Sequence, residues 1–167
     1  MYQLGREGWK LFGHQKKYWQ YRAVDYHTLG IADAYMELLA LEESGNIEIL
    51  AHYTEPESWQ VVGDVELRPD LFVEVGDIHK GKRVRLWLEI DMGTERHQKI
   101  KEKLADYWRA YRNTTEEDMR LFPRVVFLAP DAMRARELRH IIENGPEAAQ
   151  DLFLVSTVSE FAGLLFG

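Results

Sequence analysis

Three carboxylate residues lie where two predicted strands can bring their side chains together. Asp70 follows Pro69 at the start of one apolar run, and Glu89 and Asp91 end another in the order Glu-Ile-Asp. Side chains alternate between the two faces of a strand, so Glu89 and Asp91 are expected to point the same way. Asp70 is expected to approach them if the two runs form a hairpin.

Clustered carboxylates repel one another unless a cation or protons lie between them. Oxygen ligands of this kind suit Mg²⁺ or Mn²⁺, which bind one or two carboxylates with waters and a substrate phosphate. Such an ion can activate water for hydrolysis of a phosphate ester. The pattern therefore predicts a Mg²⁺ or Mn²⁺ site on Asp70, Glu89 and Asp91. The alternative is solvated carboxylates at strand ends, because most Asp and Glu side chains are exposed.

The elements that must position these residues predict an α/β fold. A hairpin is predicted from two strands at 71–75 and 84–91, which are separated by a segment rich in turn formers. Further strands are predicted at 47–53, 124–129 and 152–156, and helices at 26–44, 94–112 and 131–144, with a short helix after Thr157. Thr94 is expected to cap the second helix, and Thr157 and Glu160 form a predicted capping box. The order favours a mixed sheet flanked by helices.

Composition narrows the possible functions. The 167-residue chain has a net charge of −7, with 28 acidic and 21 basic residues, which argues against strong, sequence-independent binding of nucleic acid by this chain alone. Cysteine is absent, which excludes disulfides, thiolate catalysis and Cys-based zinc sites. The sequence has no apolar run long enough for a membrane span and no signal-peptide pattern, so a cytoplasmic protein is expected.

The order of elements, with Pro-Asp in one strand and an acid-x-acid triplet in the next, resembles the PD-(D/E)XK nuclease superfamily. More narrowly, RPDLFVEV, LWLEIDMGTE and KLADYWRAY resemble the replication-relaxation family of plasmid and mobile-element proteins. The resemblance covers about residues 26–156. It implies a restriction-endonuclease-like domain at 26–167 with an α-β-β-β-α-β core. YQLGREGWKLFG resembles the end of a winged helix, so residues 1–25 are interpreted as a leader or the remnant of a preceding DNA-binding domain.

The resemblance also assigns roles to individual residues. Asp70 matches the acid of Pro-Asp, and Glu89 matches the first acid of the triplet. Asp91 stands where the superfamily usually has a Lys that positions the attacking water. In some branches that Lys comes from the following helix, where Lys99 and Lys103 are spaced i, i+4 on one face. Lys103, within KLADY, is the better match, and a solvated helix face is the alternative interpretation of both lysines.

Other candidate residues lie at the starts of two predicted helices. His27 and Asp33 are six residues apart on the first helix, a spacing that does not place them squarely on one face. Since the first helix of nuclease-like folds often supplies an acid near the metal, Asp33 and Glu37 are candidates for that role. His97 and Lys99 lie near the start of the second helix, where the helix dipole favours a phosphate. Surface roles are the alternative for all of these residues.

Two functions of different classes follow. The first is Mg²⁺- or Mn²⁺-dependent DNA endonuclease activity, with metal on Asp70, Glu89 and Asp91 and with Lys103 orienting water. The second is a catalytically inactive accessory module that binds DNA, or replication or conjugation proteins. A winged-helix transcription regulator is a third interpretation for a longer protein. The three acids favour the enzyme, and Asp91 in place of the usual Lys favours the accessory module.

Overall fold

The computed structural model describes residues 25–115 and 122–165. The helices in these ranges are α1 (Tyr26–Glu43), α2 (His97–Asn113), α3 (Ala132–Glu143) and α4 (Glu147–Gln150), followed by a 3₁₀ helix (Phe161–Leu165). The strands are β1 (Ile47–Thr54), β2 (Gln60–Val62), β3 (Val65–Leu67), β4 (Leu71–Asp77), β5 (Lys82–Ile90), β6 (Arg124–Ala129) and β7 (Phe153–Thr157). The predicted leader, residues 1–25, lies outside the described residues except for Asp25.

Five strands form one mixed sheet in the order β1-β4-β5-β6-β7. The pairs β1–β4 and β4–β5 are antiparallel, whereas β5–β6 and β6–β7 are parallel. Strands β2 and β3 form a separate two-stranded ribbon. The predicted α/β class, with a mixed sheet flanked by helices, is confirmed. In the main sheet, α1, β1, β4, β5, α2 and β6 follow the predicted α-β-β-β-α-β order.

Helices cover both faces of the central strands β5 and β6, with a different set of helices on each face. Even-numbered β5 residues, such as Leu86 and Leu88, belong to the core that includes Ala34 and Leu38 of α1. Trp87 belongs to the opposite core, which α2 and α3 complete. The predicted alternation along β5 is therefore confirmed. Its odd-numbered face is also buried from Trp87 onward, which places the acidic end of the strand beneath two helices.

The β4–β5 hairpin fixes the register that the acidic residues need. Its turn closes around Asp77, whose carboxylate accepts hydrogen bonds from the backbone N–H groups of His79 and Lys80, each at 2.9 Å. Gly81 supplies the positive φ of 62° that the turn requires. Leu71 then pairs with Leu88, so the residue before β4 lies beside the acidic end of β5.

The connection between β5 and α2 differs from the prediction. The helix begins at His97 with Arg96 in the N-cap position, and no side chain caps it. The expectation that Thr94 would cap this helix is therefore wrong. The chain instead uses residues 91–96 to leave the sheet, with Gly93 at φ 74°. The short C-terminal helix is present as a 3₁₀ turn, and Thr157 Oγ1 lies 3.0 Å from Glu160 Oε2 at its start.

Candidate acid–base and metal site

Asp70 lies at the meeting point of three elements. It is buried, and its Oδ2 accepts a hydrogen bond of 2.6 Å from the backbone N–H of Ile90 at the end of β5. Its Oδ1 lies 3.1 Å from Nε2 of His27 in the first turn of α1. Helix α1 begins there because the Asp25 carboxylate accepts the N–H groups of His27 and Thr28. The side chain of Asp70 is thus held in one orientation, with one oxygen directed at an imidazole.

Glu89 is buried between β5 and α2. Tyr107 donates its hydroxyl to Glu89 Oε1 at 2.5 Å, and Lys103 donates from Nζ to Oε2 at 2.8 Å. Lys103 and Tyr107 are four residues apart, so one face of α2 supplies both donors. Burial raises the pKa of Glu89 from 4.5 to about 7, against the opposing charge of Lys103, and the negative charge of Asp70 raises it further.

Lys103 has a second carboxylate neighbour. Its Nζ lies 3.2 Å from Oε1 of Glu95, on the connection that precedes α2. Burial opposes the charged form, but the charge of Glu89, its hydrogen bond and the charge of Glu95 raise the pKa of Lys103 above its usual value. Lys103 is therefore an ammonium held between two carboxylates. Lys99, one turn earlier, is exposed, so Lys103 is the lysine that the structure brings to the predicted acids.

Asp91 has a different environment from Asp70 and Glu89. It is buried, and its Oδ2 lies 2.9 Å from Nη2 and 3.0 Å from Nε of Arg134 on α3. Its Oδ1 accepts the backbone N–H of Gly93. Asp70, by contrast, is close enough to Glu89 for its charge to raise the pKa of Glu89. The role of Asp91 as a metal ligand stays a prediction, and in the structure each of its carboxylate oxygens accepts a hydrogen bond.

A different group of side chains comes within ligand distance. Within residues 25–115 and 122–165, three residues each bring one potential ligand atom to within 4.8 Å of the other two: His27, Glu55 and Asp70. The predicted ligands Glu89 and Asp91 are not in this group. One imidazole and two carboxylates can hold a divalent ion, and the mixed nitrogen and oxygen set suits Mn²⁺ better than Mg²⁺.

Sequence reasoning missed Glu55 altogether and considered His27 without assigning it to metal. Glu55 follows β1 directly, and the pairing of Thr54 with Leu71 brings it beside Asp70. The backbone N–H of Glu55 donates to the carbonyl of Asp70 at 3.3 Å. No spacing rule links residues 27, 55 and 70, because strand pairing and the packing of α1 bring them together. One signal in the sequence could have indicated Glu55. It is an acidic residue directly after a strand that can pair with the strand following Pro-Asp.

The remaining candidates lie apart from this group. Asp33 and Glu37 line an open surface cavity of about 380 Å³ together with Pro130, Thr157 and Ser159, among others. His97 and Lys99 are exposed at the start of α2. The expectation that an acid of the first helix lies near the metal stays a prediction. The structure instead places a histidine of that helix beside Asp70.

The comparisons with known proteins agree with the narrower resemblance seen in the sequence, to the replication-relaxation family. The model of the replication-relaxation family matches residues 1–125, three quarters of the chain, and so includes Asp70, Glu89 and Lys103. Searches of curated proteins and of solved structures each give no significant match. In the part of the chain that the structure describes, every helix is too short or too polar to cross a membrane. The chain belongs to the replication-relaxation family and is thereby related to plasmid replication or relaxation.

Proposed function

We propose that this chain cleaves DNA phosphodiester bonds during plasmid replication or relaxation, as a PD-(D/E)XK-type nuclease that uses Mn²⁺ or Mg²⁺. The observation that supports this most is the pairing of Glu89 with Lys103 beside Asp70. The buried Glu89 carboxylate lies 2.8 Å from the half-buried Lys103 ammonium, next to a group of potential metal ligands. Ionisable groups whose pKa values are shifted by burial and by a nearby charge are common at functional sites.

The proposed ligands are His27, Glu55 and Asp70. A divalent ion there would supply Lewis acidity toward a phosphate oxygen and a lower pKa for bound water. The chain's own residues prepare the remaining steps. With a pKa near 7, Glu89 can accept or release a proton near neutral pH, as a general base requires. Lys103 stays positive and can offset the charge that develops on the phosphate.

The second candidate is a catalytically inactive module that binds DNA, or replication or conjugation proteins. Asp91 favours it, since this residue replaces the usual lysine and its carboxylate is bound by Arg134. Glu89 also has each carboxylate oxygen hydrogen-bonded, by Tyr107 and Lys103. In this alternative the buried charges maintain the scaffold, and the chain binds its partner without cleavage.

A plasmid-nicking assay with Mn²⁺ and with Mg²⁺ separates the two candidates. If the chain is a nuclease, Asp70→Asn and Lys103→Met should each lower the nicking rate by about 100-fold, the usual cost of losing one electrostatic contact in a transition state. Lys99→Met is the matched control, because it removes the same charge from an exposed position one turn earlier on α2. It should leave the rate within about twofold.

Nicking that survives Asp70→Asn would remove the proposed site. Wild-type protein that binds DNA but does not nick it with either metal would establish the accessory function instead. Calorimetric titration with Mn²⁺ provides an independent measurement. His27→Ala should weaken Mn²⁺ binding at least about tenfold, whereas binding that is unchanged would exclude His27 as a ligand.

A further inference from the structure

Arg134 lies outside the candidate site but holds the segment that leads from β5 into it. Its guanidinium contacts Asp91 Oδ2 at one end of residues 91–95, and it donates from Nη2 to the carbonyl of Glu95 at 2.8 Å at the other end. A further contact of 2.9 Å joins Nη1 to Glu137. Arg134 is only 8% exposed. One buried side chain therefore fixes both ends of the connection between β5 and α2.

The position of Arg134 is electrostatically unfavourable for a cation. It lies in the first turn of α3, where the helix dipole disfavours a cation. Burial of the charge adds a further cost. Asp131 caps the helix by accepting the backbone N–H of Arg134 at 2.8 Å, and two carboxylates offset the guanidinium charge. A residue that departs from local preference but makes this many contacts is a candidate for a functional role.

The contacts of Arg134 lead directly to Lys103. Glu95 lies on a connection without regular secondary structure, and the contact of its carbonyl with Arg134 restrains its backbone. Its carboxylate lies 3.2 Å from Lys103 Nζ, which in turn lies 2.8 Å from Glu89. We propose that Arg134 is a positioning residue that holds Glu95 against Lys103 and so keeps the ammonium between two carboxylates. The effect on DNA cleavage rests on the proposed function, whereas the effect on Lys103 does not.

Proton exchange of the lysine ammonium groups, followed by NMR of ¹⁵N-lysine-labelled chain, tests the proposal directly. Lys103→Met identifies the Lys103 signal, which should exchange slowly in the wild type. Asp91→Asn keeps the contact between Arg134 and Glu95 and should preserve slow exchange. Adding Arg134→Met to Asp91→Asn should speed exchange about fivefold, the size expected for losing a partly exposed ion pair. Glu95→Gln should produce a similar increase.

Arg134→Lys provides a second variant, because it keeps a positive charge near Asp91 but cannot reach two acceptors with a planar fork. It too should speed the exchange of Lys103. Equal exchange in Asp91→Asn and in the double variant, with both folded by thermal melting, would overturn the proposal. A wild-type Lys103 signal that exchanges freely would do the same. Failure of the wild type to nick DNA would count against the proposed function alone, since the exchange measurement uses neither metal nor DNA.

Discussion

Glu89 and Asp91 lie two residues apart, are both buried and each bind one cation, yet their environments differ. The cation at Glu89 is Lys103, whose side chain is 35% exposed and is shared with Glu95. The cation at Asp91 is Arg134, whose side chain is 10% exposed and contacts one oxygen through two nitrogens. The difference indicates that the Glu89 pair lies at the edge of the site and shares its cation, whereas the Asp91 pair is enclosed.

The chemistry of the two cations accounts for this difference. An ammonium is a compact charge on a flexible stem, whereas a guanidinium is a planar fork that binds several acceptors in fixed directions. Lys103 can therefore contact Glu89 and Glu95 together without a fixed direction toward either. Arg134 joins α3 to residues 91–95 and cannot leave without exposing several acceptors. The end of β5 thus carries two ion pairs: an adjustable pair, Glu89 with Lys103, and a fixed pair, Asp91 with Arg134.

The largest expected effect comes from removing the fixed cation. Arg134→Met leaves Asp91 buried without its partner, so the free energy of unfolding should fall by about 3–5 kcal/mol. Urea unfolding at neutral pH measures this change. Lys103→Met is the matched comparison and should cost less, because Lys103 is more exposed and Glu89 can take up a proton.

Neutralising both members of the fixed pair should recover part of that loss. The double variant Asp91→Asn with Arg134→Met no longer buries an unpaired charge, so it should be more stable than Arg134→Met alone. A cost for Arg134→Met that is no larger than that for Lys103→Met would contradict the assignment of the fixed and adjustable pairs.

The pH dependence of stability should report on Glu89. Its pKa is about 7 in the folded protein and 4.5 ordinarily, so the folded state binds the proton more tightly. The resulting stabilisation is fully present below pH 4.5 and is lost as the pH rises through 7, a change of about 3 kcal/mol. Glu89→Gln should remove this component from unfolding curves measured between pH 4.5 and 8. If the variant and the wild type have the same pH profile, Glu89 does not have a raised pKa.

The sequence predicted the features that follow from local periodicity. Strand alternation placed Glu89 and Asp91 on the correct face. Helical spacing put Lys99 and Lys103 on one face of α2, and the family resemblance favoured Lys103. The partners of Asp70 and Asp91 depend instead on how distant elements pack. Arg134 is 43 residues from Asp91, and Glu55 reaches Asp70 through the pairing of β1 with β4. The periodicity of the sequence does not indicate such long-range contacts. Asp70, Glu89 and Asp91 therefore look equivalent in the sequence, although each has different partners in the structure.

The smallest expected change in stability comes from removing the Tyr107 hydroxyl, the uncharged hydrogen-bond donor to Glu89. Tyr107→Phe removes the hydroxyl that donates to Glu89 Oε1 and leaves Lys103 in place. A hydrogen bond to a charged group contributes about 1.5–3 kcal/mol, and one to a neutral group about 1 kcal/mol. The loss of stability should therefore be larger at pH 8.5, where Glu89 is ionised, than at pH 5, where it is protonated. Urea unfolding at the two pH values measures the difference, and an equal loss at both would mean that Glu89 has the same charge throughout that range.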